Sequence, residues 1–162
     1  MLLKVKIYMY KKILLPTDGS ENSKRANKHA LWIADKSDAN IVIMYVIEPH
    51  FPELATGLPL STLPTPDEQF YEEIRNEGKQ IIENFKQDLE DVQCKGICKN
   101  TNLKTIIIEG KPSNEIVNVL DKENIDLVVM GASGRHGLDR FVIGSVTERV
   151  VRNAKKPVMV IP

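Results

Sequence analysis

Several features that mark membrane-bound or nucleic-acid-binding proteins are missing from this sequence. Its 162 residues include 22 basic and 22 acidic side chains, so the formal net charge at pH 7 is zero. A zero net charge provides no bulk electrostatic attraction to nucleic acids or to anionic membranes. No apolar run approaches the roughly 18 residues that suggest a membrane-spanning helix. We therefore predict neither a nucleic-acid partner nor a membrane partner.

Cysteine is also scarce, with Cys94 and Cys98 as the only two thiols. Their spacing fits no common zinc motif, and no histidine lies near them in the sequence. The spacing leaves a local disulfide open but favours two reduced thiols in a cytosolic protein. Residues 1–10 are interrupted by lysines and lack the apolar centre of a signal peptide. We therefore expect a cytoplasmic location.

The usual motifs of nucleotide-processing enzymes are absent as well. No Gly-Lys-Ser/Thr completes a P-loop, and no Gly-x-Gly-x-x-Gly dinucleotide motif is found. No convincing Ser-His-Asp or paired-carboxylate arrangement stands out. We therefore assign no catalytic residue.

The chain does contain a regular alternation of apolar runs with amphipathic segments. Apolar runs of the kind that buried parallel strands show lie at 13–15, 41–47, 103–108, 125–130 and 157–161. Helical patterns lie at 21–37, at 67–90, just after 110–113, and at 147–153. Such an alternation predicts an α/β domain whose parallel sheet is covered by helices on both faces.

Two stretches depart from this alternation. Five of the nine prolines fall within residues 48–66, which predicts a connection without regular structure. A plain surface excursion and a functional loop are both compatible with its length. Residues 1–8 precede the first strand, and the sequence does not decide whether they add an edge strand. We predict an N-terminal extension at 1–8 and a single domain at 9–162.

The most informative stretch follows the fourth apolar run. Residues 131–146 read Gly-Ala-Ser-Gly-Arg-His-Gly-Leu-Asp-Arg-Phe-Val-Ile-Gly-Ser-Val and lead into a predicted helix. Glycines let backbone N–H groups crowd around an anion, and a helix N-terminus adds unsatisfied donors and a positive dipole end. This arrangement favours phosphate binding. The alternative is an ordinary turn before a helix capped by Ser145, with Glu148 completing a capping box.

The spacing of this loop, Gly-x-x-Gly-x9-Gly-Ser, resembles the nucleotide-binding signature of the universal stress protein family. The resemblance extends over most of the chain and includes Pro-Thr-Asp-Gly-Ser at 16–20. It implies a three-layer αβα fold, Rossmann-like and adenine-nucleotide-binding, with a five-stranded parallel sheet of order 3-2-1-4-5. Ligands of such sheets lie beyond the carboxyl ends of the strands, where the winding reverses. Here that point lies between the first and fourth strands.

The resemblance also implies which residues contact an adenine nucleotide. Asp18 would accept hydrogen bonds from the ribose or the adenine amine, with an Asx-turn as the structural alternative. The backbone of Val46 would meet the adenine edge. The whole predicted set is Pro16, Thr17, Asp18, Val46, Met130, Gly131, Ala132, Gly134, Arg135, His136, Gly144, Ser145, Val146 and Thr147, with Arg135 and His136 as second-rank members.

One departure from the family pattern concerns Ala132 and Ser133, where members often carry Thr-His or Ser-His. The departure leaves a backbone cradle intact but removes some side-chain contacts. ATP is the favoured ligand, with Mg²⁺ or Mn²⁺ bridging its phosphates and no protein side chain predicted to bind the metal.

The function implied by the resemblance is that of a nucleotide-dependent regulator or molecular switch with at most slow ATP hydrolysis. Two alternatives stay open: a dimeric member of the family that binds no nucleotide, and an adenylyl-transfer enzyme on the same fold. The resemblance also implies a homodimer formed through the last strand, whose apolar edge would otherwise seek a partner.

Overall fold

The structure is a computed structural model that describes residues 10–48, 68–133 and 143–162. The predicted extension, nearly all of the proline-rich connection, and Gly134, Arg135 and His136 lie outside the described residues. Strands and helices alternate along the described chain as β1 (Lys12–Pro16), α1 (Glu21–Ser37), β2 (Asn40–Ile47), α2 (Glu68–Cys94), β3 (Leu103–Glu109), α3 (Pro112–Lys122), β4 (Leu127–Gly131), α4 (Ser145–Asn153) and β5 (Val158–Ile161).

The strands form one parallel sheet in the order β3-β2-β1-β4-β5, which confirms the predicted order. Strand β1 lies in the centre and pairs with β2 along its whole length, up to Pro16 opposite Met44. On its other side β1 pairs with β4, with Leu14 opposite Val128. Because the chain winds outward in opposite directions from β1 and β4, a crevice opens beyond their carboxyl ends.

Two separate hydrophobic cores cover the two faces, because successive side chains of a strand point to opposite sides. On the face covered by α1 and α2, Leu15 and Ile43 pack in one cluster with Phe85. On the face covered by α3 and α4, Leu14 and Val42 belong to a second cluster. Burial on both faces explains why the central strands read as continuous apolar runs.

Three predicted boundaries differ from the structure by two residues or more. Helix α2 continues to Cys94, about one turn past the predicted end at residue 90, and the turn at Gly96 follows with a φ of 83°. Strand β4 begins at Leu127 and not at residue 125, because the N–H of Ile125 donates to the carbonyl of Leu120 as the chain leaves α3. Helix α4 begins at Ser145, two residues earlier than predicted.

The two cysteines are free thiols, with Cys94 exposed and Cys98 buried. Sequence reasoning favoured this state over a local disulfide. Within the described ranges, no helix combines the length and the apolar character needed to cross a membrane.

Candidate functional site

The crevice between β1 and β4 is bordered on one side by the turn that follows β1. The N–H of Thr17 donates to the carbonyl of Met44 at 2.9 Å, and among the described residues this is the last backbone hydrogen bond between the turn and β2. The hydroxyl of Thr17 is buried and donates to the hydroxyl of Ser23 at 3.2 Å. The carboxylate of Asp18 accepts from the N–H of Ser20 at 3.0 Å. The Asx-turn that was the structural alternative for Asp18 is therefore present, and its ligand contact stays a prediction.

The backbone of Val46 faces this crevice. In a parallel ladder the backbone polar groups of alternate residues point to the same neighbouring strand. The carbonyl of Ile47 points toward β3, because it accepts from the N–H of Gly110 at 2.9 Å, whereas the carbonyl of Met44 points toward β1. The N–H and C=O of Val46 therefore point to the side of β1. Since β1 ends at Pro16, opposite Met44, no residue of that strand lies opposite Val46.

The other side of the crevice begins at Gly131, the last residue of β4. A Cβ at this position would lie 2.9 Å from both the backbone carbon and the Cβ of Asn22, and 3.1 Å from the nitrogen of Ser23. Such contacts are too short for a real side chain, so Gly131 lets α1 pack closely on β4. This role belongs to the fold and does not depend on a ligand. The preceding Met130 is buried in the core under α3 and α4.

The N-terminus of α4 is open. Gly144 is its N-cap, with a φ of −66° and a ψ of 153°, and no side chain of the described residues caps the helix. The first helical bond joins the N–H of Glu148 to the carbonyl of Gly144 at 2.9 Å. The alternative in which Ser145 caps the helix is therefore wrong, because that residue already has a helical position. Among the described residues, no hydrogen bond engages the N–H groups of Ser145, Val146 and Thr147.

Three hydrogen bonds join the two ends of the glycine-rich loop to each other and to the end of β5. The N–H of Ala132 donates to the carbonyl of Ile161 at 2.7 Å, and the carbonyl of Ala132 accepts from the N–H of Gly144 at 2.8 Å. The buried hydroxyl of Thr147 donates to the carbonyl of Gly131 at 2.9 Å. The Gly144 amide and the Thr147 hydroxyl proton are thus occupied within the protein. Within the described part of the loop and α4, the donors that remain for an anion are the main-chain amides in the first turn of the helix.

Asn22 is a residue that sequence reasoning missed. Its side-chain amide donates to the carbonyl of Ser133 at 3.1 Å and to the Ser133 hydroxyl at 2.5 Å. It thereby joins the first turn of α1 to the beginning of the glycine-rich loop. The two residues are 111 positions apart in the sequence, so no local pattern signals the contact.

The sequence profile of the universal stress protein family matches residues 9–162. The chain belongs to the universal stress protein family. Universal stress protein MJ0531 of Methanocaldococcus jannaschii is 38% identical over 155 residues, which cover 94% of this chain and 82% of that protein. Universal stress protein MJ0577 of the same organism is 35% identical over 161 residues, covering 94% of this chain and 95% of that protein.

Solved structures of universal stress proteins show the same fold. The structure of MJ0577 matches with a TM-score of 0.71 at 34% identity, over 94% of this chain and 96% of that one. UspA from Lactobacillus plantarum matches with a TM-score of 0.75 at 30% identity, over 94% and 98% of the two chains.

Two more distant universal stress proteins were solved with a nucleotide. One is in complex with cAMP and matches with a TM-score of 0.62 at 22% identity, over 94% of this chain and 97% of that one. The other, from Archaeoglobus fulgidus, is in complex with dAMP and matches with a TM-score of 0.61 at 17% identity, over 95% and 99% of the chains. At these identities the likeness concerns the fold alone.

This universal stress protein has a separate cavity beside β3, and β2 lies between that strand and the β1–β4 crevice. The cavity has a volume of about 660 Å³ and lies between α2 and the edge strand β3. Apolar side chains such as Ile82, Leu89 and Ile107 line it together with several lysines and glutamates, and none of the predicted site residues does. Among the described residues, its lining contains no glycine turn and no helix N-terminus. The cavity therefore lacks the cluster of main-chain donors that the N-terminus of α4 offers.

Proposed function

We propose that this universal stress protein is a nucleotide-dependent regulator whose ligand is ATP. The observation that carries the proposal is the pairing, across one crevice, of two sets of main-chain groups that no other described residue engages. The amides of Ser145, Val146 and Thr147 form an open helix N-terminus, and the N–H and C=O of Val46 point past the end of β1. The first set suits phosphate. The second suits the hydrogen-bonding edge of a base.

Magnitudes indicate that both sets are required. Hydrogen bonds to a charged group contribute about 1.5–3 kcal/mol each. Three phosphate bonds would therefore supply about 5–9 kcal/mol, whereas micromolar binding needs about 8 kcal/mol after association costs of several kcal/mol more. Contacts to the base at Val46 and to the ribose at Asp18 would supply the difference.

The divalent ion in this proposal is Mg²⁺ or Mn²⁺. The described ranges contain no group of three or more His, Cys, Asp or Glu side chains that could hold a metal. Such an ion would therefore be held mainly by phosphate oxygens and water, a mode that suits Mg²⁺ in particular. When bound, it would neutralise part of the triphosphate charge.

The nucleotide-bound relatives support the class of ligand. cAMP and dAMP each combine adenine with phosphate, and each is bound to a protein with this fold. In this chain, the Val46 edge would take the adenine and the α4 N-terminus the phosphate. The remaining predicted contacts, from Pro16 and Thr17 to Gly134, Arg135 and His136, belong to the same proposal.

The proposed assembly is a homodimer formed through β5. This strand lies at the edge of the sheet, and Met159 on it is exposed. An edge strand with exposed apolar side chains is a template for pairing with a second chain. Sedimentation at micromolar concentration is expected to give the dimer mass, and a purely monomeric species would refute this part of the proposal.

The function is tested by identifying the nucleotide that the protein carries. Purified protein is denatured, and the released small molecules are identified by mass spectrometry; we expect an adenine nucleotide. Ligand-stripped protein is then assayed for ATP hydrolysis with and without Mg²⁺, and we expect turnover far below the ~10 s⁻¹ that is typical of enzymes. Rapid turnover would show that the protein is an enzyme and would contradict the regulator proposal. Failure to bind any nucleotide would favour a purely structural, dimeric role.

A further inference from the structure

We propose that Asn22 is a positioning residue for residues 131–133, the described start of the glycine-rich loop, which the Ala132–Gly144 hydrogen bond joins to the N-cap of α4, and that Arg25 fixes the orientation of the Asn22 amide. The inference rests on the proposed function, since it concerns how the same site is kept in shape. Neither residue belongs to the glycine signature or to the strand ends that border the crevice. Their contribution follows from contacts between α1, the loop and the end of β5.

The first step is the contact between Asn22 and Ser133. The Asn22 amide donates to both the carbonyl and the hydroxyl of Ser133, which is 6% exposed and is the last described residue before the central part of the loop. A peptide group is planar, so fixing the Ser133 carbonyl also fixes the direction of the peptide group that follows it. Asn22 thereby orients the backbone at the entrance to the loop.

The second step is the orientation of the Asn22 amide itself. A guanidinium nitrogen of Arg25 donates to the side-chain oxygen of Asn22, and another donates to the carbonyl of Pro162 at 2.7 Å. A guanidinium has only donors, so the side of the Asn22 amide that faces it must be the oxygen. The NH₂ group is then left to face Ser133. Arg25 therefore selects the orientation that the loop contact requires.

The third step is that the same loop segment is held from a second direction. Ala132 donates to the carbonyl of Ile161 at the end of β5, and the missing side chain of Gly131 lets Asn22 lie directly over the end of β4. Residues 131–133 are thus held by α1 on one side and by β5 on the other. A binding loop that is ordered before the ligand arrives loses less entropy on binding.

The prediction is that substitution of Asn22 changes the affinity for ATP, which carries phosphate, but not the affinity for adenosine, which does not. Asn22→Ala leaves the buried carbonyl and hydroxyl of Ser133 without their side-chain donor, so the loop entrance loses its fixed orientation. We expect the affinity for ATP to fall about tenfold, the change equivalent to one hydrogen bond. Adenosine, which has no phosphate, should bind Asn22→Ala as it binds the wild type. Arg25→Ala should weaken ATP binding in the same direction but less.

Calorimetry with ATP and with adenosine on the full chain tests this split. Asn118→Ala is the matched control, since Asn118 is an exposed helical asparagine whose amide reaches only Glu115, at 3.5 Å. A tenfold loss for ATP alone, seen with Asn22→Ala and not with Asn118→Ala, supports the positioning role. Equal losses for ATP and adenosine, or no loss for either, would overturn it.

A second measurement separates this inference from the proposed function. Hydrogen exchange of the ligand-free chain should be faster in Asn22→Ala than in the wild type at Ala132 and Gly144, whose N–H groups are hydrogen-bonded at the two ends of the loop. Ser133→Ala should add little to that change in the Asn22→Ala background, because both substitutions remove parts of one contact. If the wild type binds no nucleotide, the proposed function fails, and the exchange experiment alone decides the role of Asn22. Unchanged exchange would then refute it.

Discussion

Helices α1 and α4 begin at the same edge of the sheet, each as the next element after one of the two strands that border the crevice, yet their N-termini are capped differently. At α1, the hydroxyl of Ser20 accepts from the N–H of Ser23 at 3.2 Å, and the Asp18 carboxylate engages the N–H of Ser20. At α4, the N-cap is Gly144, which has no side chain to offer. Both ends carry the positive end of a helix dipole.

The difference identifies which terminus is available to a ligand. The Ser20 cap satisfies the amide of Ser23, one of the α1 amides that a phosphate would otherwise use, whereas among the described residues no side chain satisfies an amide of α4. The acidic side chain in the first turn of α4 does not replace a cap, because Glu148 is paired with Arg152 one turn further on, at 2.9 Å. Position in the fold therefore does not decide the site. The residue at the N-cap does.

The largest effect on binding is expected when a donor is removed from α4. Ser145→Pro deletes one open amide at the first helical position, where proline is well tolerated, and the extended ψ of 153° at Gly144 suits a residue before proline. We expect ATP affinity to fall about 10- to 100-fold with little change in stability. Calorimetry and urea unfolding measure the two quantities.

Ser145→Ala is the control for this experiment, because it removes the hydroxyl and keeps the amide. If Ser145→Ala weakens ATP binding as much as Ser145→Pro, the hydroxyl is the contact and the main-chain account is wrong. The comparison between the two helix ends would then lose its basis.

The next effect concerns stability and compares two glycines of the loop. Gly131→Ala places a Cβ against the backbone of Asn22, and overpacking of this kind costs about 1–3 kcal/mol. Gly144 has a φ of −66°, which residues with a side chain readily adopt. Gly144→Ala changes only the N-cap residue and should therefore cost less than about 1 kcal/mol. Urea unfolding of both variants checks the order. Equal stabilities would contradict the close approach of α1 to β4.

Removal of the α1 cap should have a moderate effect on stability alone. Ser20→Ala removes the oxygen that accepts from Ser23 and should destabilise the protein by about 1 kcal/mol. ATP affinity should be unchanged, because the α1 terminus is not proposed to bind phosphate. A marked gain in ATP binding by Ser20→Ala would show that an uncapped α1 end also binds the ligand. It would contradict the assignment of phosphate binding to the N-terminus of α4 alone.

The smallest effect concerns the far end of α1, which is anchored by Cys98. Its thiol donates to the carbonyl of Leu31 at 3.2 Å, and burial raises the pKa of this thiol. The unfolded thiol loses its proton near pH ~8.5 while the folded one keeps it, so stability should fall as pH rises above that value. Unfolding between about pH 7.5 and pH 10 should show a shallower decline in Cys98→Ala than in the wild type. Cys94→Ala, at an exposed thiol, is the control.

The sequence was sufficient for most of the fold for a definite physical reason. The central strands are buried on both faces, so their apolar runs are continuous and easy to recognise, as at Leu14 and Leu15. The order of the strands, in contrast, came from the resemblance to universal stress proteins, because local patterns carry no information on neighbours in the sheet. Boundaries were off by up to four residues, as at the end of α2.

The site was predicted less completely, and two residues show why. Ser145 followed by Glu148 has the pattern of a capping box, but the carbonyl of Gly144 already accepts the first helical bond, so the cap lies one residue earlier. Asn22 gave no signal, because its partner Ser133 is brought to it only by the packing of α1 over Gly131. A local helical bond decided the first case, and a tertiary contact decided the second.

The central claim is tested most directly by calorimetric titration of ligand-stripped, full-length protein with ATP. The account predicts saturable binding at one site per chain, in the micromolar range, with weaker binding of adenosine because it lacks the phosphates that the α4 terminus would hold. Absence of heat, together with an unchanged unfolding temperature at millimolar ATP, would contradict it, since a bound ligand at 100 times its Kd stabilises a protein by about 2.7 kcal/mol.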